Sequence, residues 1–416
     1  MTLSKRTANF FDNQPLGSDT DLMRPEDFPV NPRGEVRRVV GGGHWAFFPK
    51  SLPREIEYTN ELVRLLDTAT GAPHRLGGVG RLLPNPHLVI SPYVRIEAVF
   101  SSRIEGTQSD VADLLRFEAG DEAGVAELCD DVGEVRNYIT ALDHGIDRLR
   151  AGFPLSLRLL REVHERLMSG TRGRHADPGE FRRSQNWIGG SSPSDASFVL
   201  PPPEAMHVAL DDLELFLHER TLPVLIQLAM AHYQFEAIHP FLDGNGRLGR
   251  LLIPLVLLER GVLPQPLLYL SAYFEQHRSR YYELLLNTSR TGDFTAWISY
   301  FLGGVAAQAA EAEERTVRLV ELQASMRNDL LSERASTNIV RTAELLFSTP
   351  YISSNWLAGA LDVTYPTAQS AINTLVSRGD LVEATGRKRN RFYFAARIFE
   401  AVYGQSPVLA QTALFD

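Results

Sequence analysis

With 416 residues, 44% of them hydrophobic, the chain is long enough for two or three domains with cores of their own. A net charge of −9 excludes a protein that is basic overall, and one cysteine, Cys129, excludes an intrachain disulfide or a multi-cysteine zinc site. The N-terminal MTLSKRTANFFDNQ has no apolar core fit for a signal peptide, and no run approaches the ~18 apolar residues of a membrane span, so a reducing, cytoplasmic setting is expected.

In chain order, residues 1–50 are rich in Pro, Gly and charge and predict an irregular arm lying over the body. Residues 51–150 predict an N-terminal helical region. A helix runs from Pro53 to about Thr68, a Gly/Pro-rich loop covers 71–92, and Pro92 starts a helix with apolar Val94, Ile96, Val99 and Phe100. Helices follow at 110–118 and 125–150. A core over 151–305 holds helices at 156–169, 204–219, 223–237, 248–260, 271–287 and 293–322, the last leading into a linking helix at 306–335. Only 184–203 departs from helix, as two β-prone pieces around a Gly/Ser/Pro turn predict a small hairpin. Over 336–400, helices at 337–347, 353–361 and 365–378 precede strands at 381–383 and 392–394, the pattern of a winged helix-turn-helix, with a tail at 401–416. The fold class is mainly α.

Chemistry concentrates in residues 239–250, His-Pro-Phe-Leu-Asp-Gly-Asn-Gly-Arg-Leu-Gly-Arg, which open onto the apolar run from Leu251 to Leu258. A Gly-rich turn feeding a helix leaves backbone N–H groups aimed outward, a ready phosphate site. Arg247 and Arg250 add fork-shaped, charge-assisted donors. Asp243 suits a phosphate only through a divalent cation, and His239 can serve as a base, so the string points to phosphoryl or nucleotidyl transfer. The P-loop pattern G-x-x-x-x-G-K-[ST] is absent, against an ordinary NTPase.

These twelve residues match the Fic signature H-x-F-x-[D/E]-G-N-G-R-x-x-R position by position, and the chain resembles that family over about residues 55–330. The resemblance implies a protein adenylyltransferase that moves AMP from ATP onto a Ser, Thr or Tyr hydroxyl of a target protein, or of itself. His239 would be the general base, with an unperturbed pKa near ~6.5 suited to neutral pH. Asp243 would hold Mg²⁺; Gly244, Asn245, Gly246, Arg247, Leu248, Gly249 and Arg250 would bind ATP, with the Asn245 amide, Arg247 and Arg250 on phosphates. Phe241 would anchor the loop in the core.

Ser101-Ser102-Arg103-Ile104-Glu105-Gly106 is similar to the inhibitory motif [S/T]-x-x-x-E-[G/N] of many Fic proteins. By that resemblance Ser101, Glu105 and Gly106 form a brake, with Glu105 pairing Arg250 and removing it from the γ-phosphate; the plain alternative is a helix end capped by Gly106. The hairpin resembles the family's target-docking flap, with Phe198, Val199 and Leu200 on its edge and Gln185, Asn186 and Trp187 as a buttress. Tyr281 and Tyr282 fall where relatives line the adenine pocket, and autoinhibited relatives self-associate, so a homodimer is expected. His144, His164, His175, His207, His232 and His277 show no metal-ligand spacing. In the C-terminal module Thr367, Gln369, Ser370 and Asn373 form a polar helix face beside the cations Arg387, Lys388, Arg389 and Arg391, a pattern for DNA contact that a protein-docking module would share. Two other readings stay open: a de-AMPylase or bifunctional enzyme using Glu105, and an ATP-sensing winged-helix regulator in which His239 has no work.

Overall fold

The computed structural model describes residues 23–28, 33–81, 87–121, 124–170 and 177–404. The arm at 1–22 and 29–32, the loop at 82–86, His175 and the tail at 405–416 lie outside the described residues. Fifteen α-helices and three small sheets are described.

The chain enters through an antiparallel hairpin, β1 (Gly34–Arg38) and β2 (Trp45–Pro49), where an irregular arm is predicted. Ala46 and Phe47 are buried, so the strand exists because it covers the body. Helix α1 (Asn60–Arg81) starts seven residues later than Pro53, because the Thr59 hydroxyl accepts from the Leu62 N–H (3.1 Å) and caps it. It then runs through Gly71 and Pro73, where a loop is predicted. Ala69, Ala72 and Leu76 bury against a long helix described below, and that packing outweighs the hydrogen bond Pro73 cannot make. Helix α2 (His87–Ile104) likewise starts before Pro92, leaving the proline inside it.

α3 (Val111–Glu118) has a reciprocal cap between Asp110 and Asp113. α4 (Cys129–Arg150), α5 (Leu157–Leu167), the hairpin β3 (Trp187–Ile188) and β4 (Phe198–Val199), and α6 (Pro203–His218) follow. At the centre lie α7 (Val224–Ile238) and α8 (Asn245–Glu259), antiparallel neighbours with almost every residue buried. Helices apolar on all sides belong in the middle of a core. α8 begins three residues before the sequence pattern suggests, since its first turn is the glycine-rich string itself. The predicted 271–287 helix breaks at His277 into α9 (Ser271–Gln276) and α10 (Arg278–Thr291).

α11 (Thr295–Ser332) is one helix of 38 residues, roughly 57 Å long at ~1.5 Å per residue. It packs on α1 and α7 and then on α12 (Thr337–Leu346), so the linking helix is continuous with the core. The C-terminal module adds β5 (Tyr351–Ser353), α13 (Ser354–Leu361), α14 (Tyr365–Ser377), β6 (Val382–Glu383), β7 (Phe392–Phe394) and α15 (Ala396–Tyr403), with strand order β5-β7-β6. Neither β5 nor α15 is predicted. Among the described residues no helix is long and apolar enough to cross a membrane.

Candidate active site

The turn between α7 and α8 is set by local backbone chemistry. His239 ends α7 in the left-handed region (φ 51°), a conformation that costs a non-glycine residue energy and has to be held by its surroundings. Arg182 holds it. This guanidinium is 1% exposed and donates to main-chain oxygens of His239 (2.9 Å), Ile238 (3.3 Å), Ser184 (2.9 Å) and Pro201 (2.6 Å). One side chain thus ties the His239 turn to both roots of the β3–β4 hairpin. Burial lowers its pKa to about 10, still charged at neutral pH. Exchanging Arg182 for Met leaves those buried carbonyls unmatched and is expected to lower stability by roughly 3 kcal/mol, read from urea denaturation midpoints.

Asn245 closes the turn from the other side. Its Oδ1 accepts from the Phe241 N–H (2.8 Å) and its Nδ2 donates to the Phe241 carbonyl (2.9 Å). The expected role of this amide on a phosphate is therefore corrected: both its ends are spent on the loop. Phe241 is fully buried and stacks on His164 at 3.7 Å. His164 Nε2 donates to the Asp243 carbonyl (3.0 Å) while Nδ1 accepts from the Gly179 N–H (2.9 Å), which fixes one neutral tautomer. Burial drops its pKa to about 4. Gly244 has φ 76°, and a Cβ there would stand 2.6 Å from Met168 Sδ. Gly244→Ala is expected to cost about 1–3 kcal/mol of stability by thermal unfolding, from the unfavourable φ and the crowding together.

The first turn of α8 presents main-chain N–H groups of Asn245, Gly246 and Arg247, which have no acceptor within the helix. Leu248 and Gly249 do not join them. The Leu248 N–H donates to the Gly244 carbonyl (3.0 Å) and its side chain is fully buried, while a Cβ on Gly249 would sit 2.4 Å from the Glu236 carboxyl. Asp243 is 46% exposed in its side chain; Oδ1 accepts from the Gly244 N–H (2.6 Å) and lies 3.7 Å from Arg247. Among the described residues no group of three or more acids, histidines or cysteines could hold a metal ion. A single carboxylate fits a cation that arrives with substrate phosphates, as Mg²⁺ usually does, and does not fit a resident metal.

Both arginines are engaged. Arg247 pairs with Glu134 of α4 (3.0 Å). Arg250, whose side chain is fully enclosed, donates from Nε to Ser101 Oγ (2.9 Å) and from Nη2 to the Ser101 carbonyl (2.8 Å) and Glu105 Oε1 (2.6 Å). Ser101 and Glu105 are separated from Arg250 by well over a hundred residues, yet the last turn of α2 and the residue just past its end deliver them. The Glu105 carboxyl also lies over the cradle, since a Cβ on Gly246 would be 2.2 Å from Oε1. Burial opposes charge on Glu105, but the Arg250 guanidinium outweighs it and holds the pKa below the usual carboxylate value. Gly106 follows at φ 102° and turns the chain out of the helix, so its capping role and the Glu105 pairing coexist.

The His239 ring, 13% exposed, stands with Nδ1 3.8 Å from Glu236 Oε2. Its pKa is not the unperturbed value expected: burial first, then the Arg182 charge, lower it to about 4, leaving the ring neutral across physiological pH. Glu236 is 4% exposed and burial raises its pKa to about 8, so it is mostly protonated at neutral pH. Glu236, Arg182, Glu134 and His164 were not singled out from sequence for this site. Glu236 alone had a local signal, lying one helical turn before His239.

Beside His239, a small cavity of about 40 Å³ is lined by Ile188, Phe198, Glu236, Tyr282, Leu285 and Ser289 among others. Tyr282 lines it and Tyr281 does not: the Tyr281 hydroxyl donates to His232 Nε2 (2.8 Å) in the core. The hairpin also differs from expectation. Phe198, Val199 and Leu200 are buried, with Phe198 packed on Phe47 (5.2 Å). The outer side of β4 is taken by Met23, whose N–H donates to the Ala196 carbonyl (3.1 Å) and whose Sδ accepts from the Val199 N–H (3.2 Å). Gln185 donates to the Leu200 carbonyl (2.6 Å) and Asn186 to the Phe241 carbonyl (3.3 Å), bracing hairpin against loop.

Residues 63–147 match the family described as Fic/DOC family N-terminal, and residues 154–257 match Fic/DOC family. The chain is 33% identical over 172 residues to the protein adenylyltransferase Fic of Aedes aegypti, covering 40% of this chain and 29% of that one. It is 31% identical over 193 residues to the protein of the same name from Drosophila melanogaster, covering 44% and 34%. The chain thus spans about a third of the length of these curated relatives. A crystal structure of a Fic family protein from Desulfovibrio desulfuricans G20 superposes with a TM-score of 0.50 at 20% identity, over 82% of this chain and 97% of that one, a shared fold. The chain thus carries a region similar to the Fic/DOC family N-terminal model at 63–147 and one similar to the Fic/DOC family model at 154–257, with the signature loop inside the second.

Proposed function

We propose that the chain is a protein adenylyltransferase, transferring AMP from ATP to a Ser, Thr or Tyr hydroxyl of a target protein or of itself, and held in check by Glu105. The observation that carries this reading is the Glu105–Arg250 bond laid across the first turn of α8 (2.6 Å). His239 takes the proton of the incoming hydroxyl as its oxygen attacks the α-phosphorus; the P–O bond to pyrophosphate breaks, and AMP stays on the target oxygen. The backbone N–H groups of Asn245, Gly246 and Arg247 take phosphate oxygens, and Arg250, once released, takes the γ-phosphate. Asp243 would hold Mg²⁺ accompanying the nucleotide, which supplies charge neutralisation at the phosphates. The cavity beside Tyr282 receives the adenine, and because it is no larger than a water site or two, the β3–β4 hairpin lifts to admit the base. With β4 covered, β3 is the strand that pairs with a target segment.

The same reading divides the chain into a helical region at 51–150 with the brake, a catalytic core at 151–305, the linking helix at 306–335 and a winged-helix domain at 336–400, working as a cytoplasmic homodimer. A second reading follows from the same carboxylate: Glu105, 18% exposed in its side chain, could orient water against an AMP-protein and reverse the reaction.

The test is label transfer from ATP to protein by the Glu105→Gly variant. Label from the α-phosphate becomes protein-bound and label from the γ-phosphate does not; the opposite pattern would make the chain a kinase.

A further inference from the structure

The C-terminal module is docked on α11 through α12 and α15, and on α3 through its sheet. On β7, Phe392 and Phe394 pack with Tyr351 and Phe399 against Ala112 and Leu115 of α3 and Ala119 just past its end. Tyr393 points the other way, as strand alternation requires, and its hydroxyl accepts from Gln369 of α14 (3.1 Å). Arg387 at the base of the β6–β7 turn pairs with Asp121 just past α3 (2.8 Å) and so belongs to the docking, correcting its grouping with the free cations. α14 and the tip of the turn remain outside that contact.

Between them lies a cleft of about 380 Å³ whose lining includes Asn355, Gln369, Asn373, Lys388, Arg389 and Arg391, and no acidic residue. Lys388, Arg389 and Arg391 are exposed, and among the described residues none of them pairs with a carboxylate; Arg391 Nε donates to the Arg387 carbonyl (2.9 Å). Glu383, the acid of the adjoining strand, is turned inward onto the Thr385 and Gly386 N–H groups (2.9 and 3.1 Å). Residues 336–404 carry seven Arg and Lys against five Asp and Glu, in a chain whose net charge is −9. The exposed positions of α14 are Tyr365 and Pro366 in its first turn and then the short polar Ser370, Asn373 and Ser377, with Thr367 half-buried. Gln369 Nε2 donates to Asn373 Oδ1 (2.9 Å) while its Oε1 accepts from Ser354 (2.7 Å), which orients both amides.

From this geometry we infer that the cleft binds duplex DNA, with α14 in the major groove and the turn cations on flanking phosphates. A B-form major groove admits an α-helix, whereas the deep, narrow groove of duplex RNA does not. A neutral amide-bearing helix beside three cations that no described carboxylate neutralises divides the work as DNA readers do, bases for the helix and phosphates for the cations. A docked protein would call for apolar anchors on this face, and among the described residues there Tyr365 is the one large apolar side chain that is exposed.

The test is fluorescence anisotropy of the full chain with a labelled random-sequence DNA duplex, titrated at several salt concentrations. Binding is expected at about 50 mM salt, weakening steeply as salt rises. The K388E/R389E/R391E variant should lose at least about tenfold in affinity and flatten the slope of log affinity against log salt by about three. Its thermal midpoint and its AMP transfer in the Glu105→Gly background should match the parent, and R318E on α11 should bind DNA like the parent. Absence of binding at about 50 mM salt, unchanged affinity in the triple variant, or equal binding of an RNA duplex or an acidic peptide would each overturn the inference. Because transfer is read separately, a failure here is distinct from failure of the adenylyltransferase reading.

Discussion

Glu105→Gly is expected to raise AMP transfer by on the order of 10²-fold, measured as protein-bound label from α-labelled ATP. The reason is geometric. Arg250 now satisfies Glu105 and Ser101 from a fully enclosed position, so a γ-phosphate arriving at the cradle meets a carboxylate in place of a cation. A triphosphate seated without that arginine leaves its α-phosphorus out of line with the attacking hydroxyl, and misplacement by about 1 Å is enough for a ~10²-fold loss. Removing the carboxylate frees the Nη2 N–H it took, while Ser101 keeps Nε and the other Nη2 N–H in place, so the arginine stays oriented. Glu105→Gln should be intermediate, since the amide oxygen keeps the hydrogen bond and loses the charge. If both variants transfer at the parental rate, Glu105 is a structural partner of Arg250 and no brake.

His239→Ala in the Glu105→Gly background is expected to lower transfer by about 10²–10⁴-fold while leaving ATP affinity within a few-fold, because the ring takes a proton and holds no phosphate. The pH profile adds an independent check. A histidine at the unperturbed value would lose activity as pH falls through about 6.5. Burial and the Arg182 charge put this ring at about 4 in the free protein. The neutral base therefore persists as pH falls, and kcat/KM should stay flat from about pH 8 to about pH 6, declining only below. The same shift carries a stability cost in acid. With the folded pKa below the unfolded one, the unfolded chain binds the proton first, so stability is full above about 6.5 and falls as pH drops toward 4. A profile with its midpoint near 6.5 would show that the ring is exposed in the working enzyme.

The sequence made the centre of the site legible because twelve consecutive residues carry it. Backbone N–H groups, the turn and the helix start are local properties, and 239–250 writes them out in order. The Glu105–Arg250 pairing was legible only through family resemblance, as nothing in the composition of α2 says which helix it will face. Side chains that hold the site from a distance stayed hidden. Arg182 sits in a loop and acts through carbonyl groups, which no motif encodes. The Asn245 amide and the pKa of His239 were misjudged for a related reason: a side chain's partners and its burial are set by tertiary packing.

Helices were found where apolar periodicity was clean, as in α3 to α6. They were misplaced at Pro73, Pro92 and His277, where packing overrode or interrupted the local signal. The β1–β2 hairpin escaped notice because Gly41, Gly42 and Gly43 suggested irregular chain rather than a turn between strands. The flap edge was assigned to β4 for its apolar residues, but those residues are apolar because Met23 and Phe47 cover them.

Intact-mass spectrometry of the Glu105→Gly chain after incubation with ATP and Mg²⁺ bears most directly on the proposed reaction. The expected result is a mass gain of one or more AMP units, absent when His239 is also replaced by Ala. An unchanged mass, or the same gain without His239, would contradict base-assisted AMP transfer at the 239–250 turn.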